Sequence, residues 1–137
     1  MAARPETTSD HVTTVRTFLD GLVEGDLGVL DLLDVDAEWR NTGLPTLKGS
    51  KVGAGIRSMF KRGIGFDYVM HSAAADGDTV LTDRTDVLRL GRFEMTFWVR
   101  GTFEMRHGKI LVWDDRYSPP SLAGAALLGA VRAVLPR

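Results

Sequence analysis

The sequence contains no cysteine, which excludes disulfide frameworks, thiolate zinc sites, iron–sulfur clusters and thiol nucleophiles. It also lacks an excess of charge of either sign: 17 Lys and Arg face 18 Asp and Glu, a formal net charge of -1. Without a basic excess no nucleic-acid partner is expected, and without an acidic one there is no solvating tail. No apolar run reaches the roughly 18 residues of a membrane span. The nearest, Leu122 to Leu135, is shorter and carries Arg132. The polar stretch Met1 to Asp10 has no secretory apolar region, so a cytoplasmic setting is expected. There is no G-x-S-x-G nucleophile elbow. Gly53-Ala-Gly55 and Gly63-Ile-Gly65 lack the third glycine of a dinucleotide loop. His11, His71 and His107 match no ligand spacing, so neither a metal nor a cofactor is expected. His107 beside Gly108 reads as a turn, and His71, in mid-strand, is the one histidine with a chance of reaching a site.

What is present is a chain of 137 residues, 44% apolar, which suits a single domain spanning 1–137 with one core and loose residues at 1–8. From Ser9, where Ser9 or Asp10 can cap a helix, Val12, Val15, Phe18, Leu19, Leu22 and Val23 recur at helical spacing. A short second helix is expected over Leu27 to Leu33. Val35 to Asn41 alternates, which predicts a strand with Val35, Ala37, Trp39 and Asn41 on one face. Thr42-Gly43-Leu44-Pro45 is a turn, and Ser50 can cap a third helix with Ile56, Met59 and Phe60 as its apolar stripe, stopping at Gly63. Four antiparallel strands follow: Phe66 to Ala75, Thr79 to Leu90, Phe93 to Arg106 and Lys109 to Tyr117. They turn at Asp76-Gly77, Gly91-Arg92 and His107-Gly108. Pro119 and Pro120 open a last helix, Ser121 to Leu135. This order predicts an α+β domain, a strongly curved, mostly antiparallel sheet wrapped around the N-terminal helices, with a pocket between the layers.

The strand faces place charges where apolar residues belong. Phe93, Met95, Phe97, Val99, Phe103 and Met105 mark the inward face of their strand, with Trp98 and several charged residues facing away. On the preceding strand the inward row reads Val80, Thr82, Arg84, Asp86, Leu88; on the last strand it reads Leu111, Trp113, Asp115, Tyr117. Asn41 ends an inward row on the first strand. Buried charges need partners, and one guanidinium can offer a fork to each of two carboxylates. Such an Asp–Arg–Asp bridge leaves one excess negative charge, so an apolar pocket favours one carboxylate keeping a proton. One acid and one base would then share the site. Taken alone, Arg84 and Asp86 also read as a structural ion pair at a strand rim, and Asp114 competes with Asp115 for the inward position.

The segments Trp39-Arg-Asn-Thr-Gly-Leu-Pro45, Val80-Leu-Thr-Asp-Arg-Thr-Asp-Val-Leu88 and Val112-Trp-Asp-Asp-Arg-Tyr117 resemble the limonene-1,2-epoxide hydrolase family, whose fold is the nuclear-transport-factor-2-like cone. Phe97-Trp98-Val99 and the apolar tail are most similar to its mycobacterial branch. The resemblance runs from the first helix to the last. It implies that Asp115 deprotonates water, Asn41 holds that water, Arg84 bridges the carboxylates and Asp86 protonates the epoxide oxygen. Water then attacks directly and gives a vicinal diol without a covalent intermediate. It also implies a homodimer, for which outward Trp98 would suit the interface. Three positions depart from the family pattern. Trp39 stands where a water-holding Tyr is usual, and an indole donates but cannot accept. Asp114 replaces an Arg beside the base, and Ser118-Pro119-Pro120 replaces a Phe-Asp type of ending.

An apolar set, Trp39, Met59, Phe66, Tyr68, Met70, Leu88, Phe97, Val99, Trp113 and Tyr117, can line a pocket for a lipophilic substrate. Each taken singly also suits an ordinary core. The apolar last helix has three readings, in order: covering the pocket mouth, packing in a dimer, or touching lipid. Two other functions fit the same fold: a ketosteroid-isomerase- or polyketide-cyclase-like enzyme, which needs no bridging Arg, and a non-catalytic carrier of lipophilic ligands.

Overall fold

The computed structural model describes residues 8–134. Of residues 1–8, expected to be loose, 1–7 lie outside the described residues and Thr8 instead opens the first helix; the expected end of the last helix at Leu135 and the side chain of Ser9 as a cap also lie outside them. Helix α1 (Thr8–Glu24) is followed by a 3-10 helix (Leu27–Leu32) rather than a second α-helix; Asp26 caps it by accepting from the Gly28 N–H at 3.0 Å. Strand β1 (Leu33–Asn41), a two-residue strand β2 (Leu47–Lys48) and helix α2 (Ser50–Lys61) come next. Then β3 (Gly65–Asp76), β4 (Thr79–Leu90), β5 (Phe93–Arg106) and β6 (Lys109–Arg116) run as a meander, and α3 (Pro119–Val134) closes the chain.

The curved sheet has the order β2-β1-β6-β5-β4-β3. All neighbours are antiparallel except β1 and β6, whose parallel pairing sets Trp39 beside Trp113 and Asn41 beside Asp115. Val15, Phe18 and Leu19 of α1 and Val52 and Ile56 of α2 form one buried cluster with Val80, Phe103, Ile110 and Trp113 of the sheet. The α+β architecture and the inward rows of β4 and β5 match the sequence reading.

Several local expectations are corrected. Val35 is 83% exposed although Ala37, two residues on, is buried. The β1–β6 register shifts between Leu33 and Glu38, and such an irregularity turns side chains out of the alternation. Asp34 is turned inward instead and accepts two bonds from Arg106, at 2.6 and 3.1 Å. The cap of α2 is Gly49, at φ 60, not Ser50, which is the first helical residue. The β3–β4 turn sits at Gly77-Asp78, β6 ends one residue before Tyr117, and α3 starts at Pro119.

Candidate active site

The inward row of β4 puts Arg84 and Asp86 two residues apart on the covered face, and that of β6 puts Asp115 across β5 from them. Arg84 is fully buried and holds both carboxylates. Its Nε donates to Asp86 Oδ1 at 3.0 Å, and its Nη2 donates to Asp86 Oδ2 at 2.9 Å and to Asp115 Oδ2 at 3.0 Å. The fork on Asp86 is bidentate, the stronger and more directional form of this pair. A third donor, Nη1, reaches Thr82 Oγ1 at 3.1 Å, and Thr82 in turn donates to the Gly101 carbonyl at 3.2 Å. The guanidinium carbon lies 5.9 Å from the centre of the Phe103 ring.

Gly101 of β5 makes the bridge possible. A Cβ there would stand 2.5 Å from Arg84 Nη1, 2.7 Å from Thr82 Oγ1 and 2.8 Å from Asp115 Oδ1, well inside contact distance. Neither Thr82 nor Gly101 was singled out from sequence. The available signal was a glycine interrupting a row of large apolar residues between Val99 and Phe103.

Burial pushes the Asp115 carboxyl up to about 6 from an ordinary 3.8; the Arg84 charge opposes this and the Asp86 charge adds to it. Burial alone would lower the Arg84 pKa, but the charges of Asp115 and Asp86 hold it above its usual range. Tyr117 is raised by burial and by the Asp115 charge. Asp114, the competing acid, points away from the bridge, 3.5 Å from Arg116.

Asp86, Asp115 and Asn41 line a cavity of about 530 Å3 under the curved sheet. Of the apolar residues expected on its wall, Trp39, Met59, Phe66, Leu88, Phe97, Val99, Trp113 and Tyr117 are there. Tyr68 and Met70 are not. They join the partly buried residues packed on the core, and the Tyr68 hydroxyl donates to Asp20 at 2.5 Å. Sequence did not foresee Leu44 and Pro45 from the turn, Ile56 and Phe60 of α2, Ile64, or Met95 of β5 on the wall. No described side chain of α3 is on its wall. α3 packs along β5, and its Leu127, Leu128, Val131 and Val134 are exposed. His71 faces out and bonds to Thr85 at 2.7 Å, away from the site. His107 holds a turn at φ 52, and buried His11 meets Asp78 at 3.1 Å.

Trp39 lies against Trp113, ring centroids 4.6 Å apart and planes 13° from parallel. Its Nε1 is buried without a partner, as are Trp113 Nε1 and Asp115 Oδ1. Among the described residues, no group of three or more His, Cys, Asp or Glu side chains is placed to hold a metal ion. None of the described helices is long and apolar enough to cross a membrane.

A carboxylate raised toward neutrality, a second carboxylate joined to it through one guanidinium, and an apolar cavity against both can move protons on a lipophilic substrate. Comparison with known proteins points the same way. The family model for the limonene-1,2-epoxide hydrolase catalytic domain matches residues 9–122. The chain is 34% identical over 123 residues to the epoxide hydrolase EphG of Mycobacterium tuberculosis, covering 89% of this chain and 83% of that protein. A solved structure of an epoxide hydrolase of this type from M. tuberculosis superimposes with a TM-score of 0.89 at 33% identity, covering 95% of this chain and 98% of that one. An NTF2-like protein from Burkholderia xenovorans, 21% identical, covers 89% of this chain and 99% of that one with a TM-score of 0.72, and shares the fold. The chain belongs to the limonene-1,2-epoxide hydrolase family.

Proposed function

We propose that this epoxide hydrolase adds water directly to an apolar epoxide and releases a vicinal diol in one step. Asp115 is the base that deprotonates water, and Asn41, its cross-strand neighbour, holds that water. Asp86 protonates the epoxide oxygen as the C–O bond opens, and Arg84 carries the charge between the two carboxylates. A strained ether needs both ends served together, since the departing alkoxide requires a proton while the attacking water loses one. The single observation that carries this reading is the buried Asp86–Arg84–Asp115 bridge opening onto an apolar cavity.

The carboxylate has acceptor capacity left for water, because a carboxylate oxygen can accept two bonds and Oδ2 accepts only one, from Arg84. The proton balance closes: Asp115 gains one, Asp86 loses one, and exchange with solvent resets both. For its setting, we propose a cytoplasmic homodimer. Exposed Trp98, Val69 and Leu81 on the outer sheet face support the dimer.

The test is one turnover in oxygen-18 water with enzyme in excess over a terpene, styrene or cycloalkene epoxide. All label is expected in the diol; label in the protein would mean a covalent ester and end the direct-attack reading. Asp115→Asn and Asp86→Asn are each expected to lose at least about 10³-fold in kcat with the fold intact. Survival of most of the rate in either variant would remove that residue from its role.

A further inference from the structure

Trp113 carries a polar atom that this mechanism does not use. Its indole Nε1 is buried and unpaired, and so is Oδ1 of Asp115. A buried donor or acceptor without a partner costs free energy, and native interiors rarely leave such groups apart. The two residues stand two apart on β6, which puts their side chains on the same face, and both line the cavity. Neither atom is engaged by any other group, and the effect of the indole on the Asp115 carboxyl is to lower its pKa, against the larger effect of burial.

The rest of the Trp113 ring is clamped. Phe18 meets it edge-on at 5.1 Å, Phe103 lies nearly parallel to it at 6.2 Å, and Trp39 stacks on it at 4.6 Å. The parallel register of β1 and β6 sets Trp39 directly opposite Trp113 and, two residues on, Asn41 opposite Asp115. Trp39 Nε1 is buried and unpaired as well, but what Trp39 gives to Trp113 is its stacked ring.

We infer that Trp113 is a positioning residue for the base: its indole N–H closes onto Asp115 Oδ1, and the Trp39 ring holds that indole in place. This rests on the reading of Asp115 as base. It also gives Trp39 a role other than holding water: it acts on the carboxylate through Trp113. The other groups facing Asp115 are Arg84 and Asp86 from β4, Tyr117 from its own strand, and uncharged Gly101 and Asn41 from β5 and β1.

Trp113→Phe keeps a ring for the stack and removes the N–H. A donor to a carboxylate favours the charged form, so its loss should raise the acid limb of the kcat/KM profile by about 0.5–1 pH unit. kcat should fall by about tenfold, with KM changed by less than about threefold. Trp39→Ala should move the limb in the same direction, and Trp39→Phe should leave it in place. A limb that stays put in Trp113→Phe overturns the inference.

A second measurement needs no turnover. In protein labelled with 15N-tryptophan, its three indole resonances assigned through Trp98→Phe and Trp39→Phe, the Trp113 resonance is expected to titrate with a midpoint near the Asp115 value of about 6 and to stop titrating in Asp115→Asn. A Trp113 resonance flat between pH 5 and 8 overturns the pairing even if epoxides are hydrolysed. Titration in a protein that opens no epoxide supports the pairing and overturns the reading of Asp115 as a water base.

Discussion

Two carboxylates on one guanidinium leave a single negative charge in a buried place, and Asp115 bears the strain of it. Its carboxyl is raised from 3.8 to about 6, so between those values the folded protein holds a proton that the unfolded chain has released. The unfolded state binds fewer protons there, so stability falls as pH rises through this window, and the ionised group remains a burden above it. Asp115→Asn removes that burden and keeps an oxygen for Arg84 Nη2. The variant is expected to be inactive and, at pH 8, more stable by on the order of 1–3 kcal/mol. Urea denaturation at pH 8 checks this, and a lowered midpoint would contradict it. The same raised value gives wild-type kcat/KM an acid limb near 6. Thr82 has the opposite sense. Thr82→Val is nearly isosteric but strips Arg84 Nη1 of its partner, so a loss of about 1–3 kcal/mol is expected. No change in urea midpoint would show that the Thr82 bond carries no weight.

Strand β4 was legible from its sequence because it is paired on both sides over Thr79 to Arg89 and alternates from Val80 to Asp86, which sets Arg84 and Asp86 on the face of Val80. Strand β1 was half legible. Its alternation is sound from Ala37 to Asn41, but the shift against β6 throws Val35 out, and nothing in a hydrophobic pattern marks where a partner strand slips. The parallel β1–β6 pairing was likewise unreadable, because it joins segments separated by most of the chain. It is this pairing that sets Asn41 beside Asp115. Strand β5 carried a signal at Gly101 that becomes intelligible only once β4 and β6 flank it. Gly101→Ala is expected to push a methyl into the space of Arg84, Thr82 and Asp115 and to lower kcat by about 10²-fold or more. The check is steady-state kinetics beside circular dichroism. A folded Gly101→Ala enzyme with wild-type kcat would show that the bridge tolerates displacement.

The assembled molecule sets a size and a polarity for its substrate. The curved sheet and the helices over it enclose about 530 Å3, within the 300–1,000 Å3 usual for small-molecule sites. Its polar groups, Asp86, Asp115 and Asn41, gather at one place on the wall, and most of the rest is aliphatic or aromatic. The contributors from the turn and from α2 could not be placed from sequence, since loop reach and helix tilt decide which side chains meet the sheet. A substrate therefore has one reactive end to present and an apolar body to bury. Each methylene added to a 1,2-epoxyalkane should gain about 0.8 kcal/mol, close to fourfold in kcat/KM, until the cavity is filled. An epoxide of equal length ending in a carboxylate should fall well below that line, because desolvating its charge is costly and the bridge already carries an excess negative charge. Measuring kcat/KM across a chain-length series, with and without a terminal carboxylate, tests both halves. A flat series would mean that the cavity does not hold the body of the substrate, and equal rates for charged and neutral partners would mean that the far wall is wet.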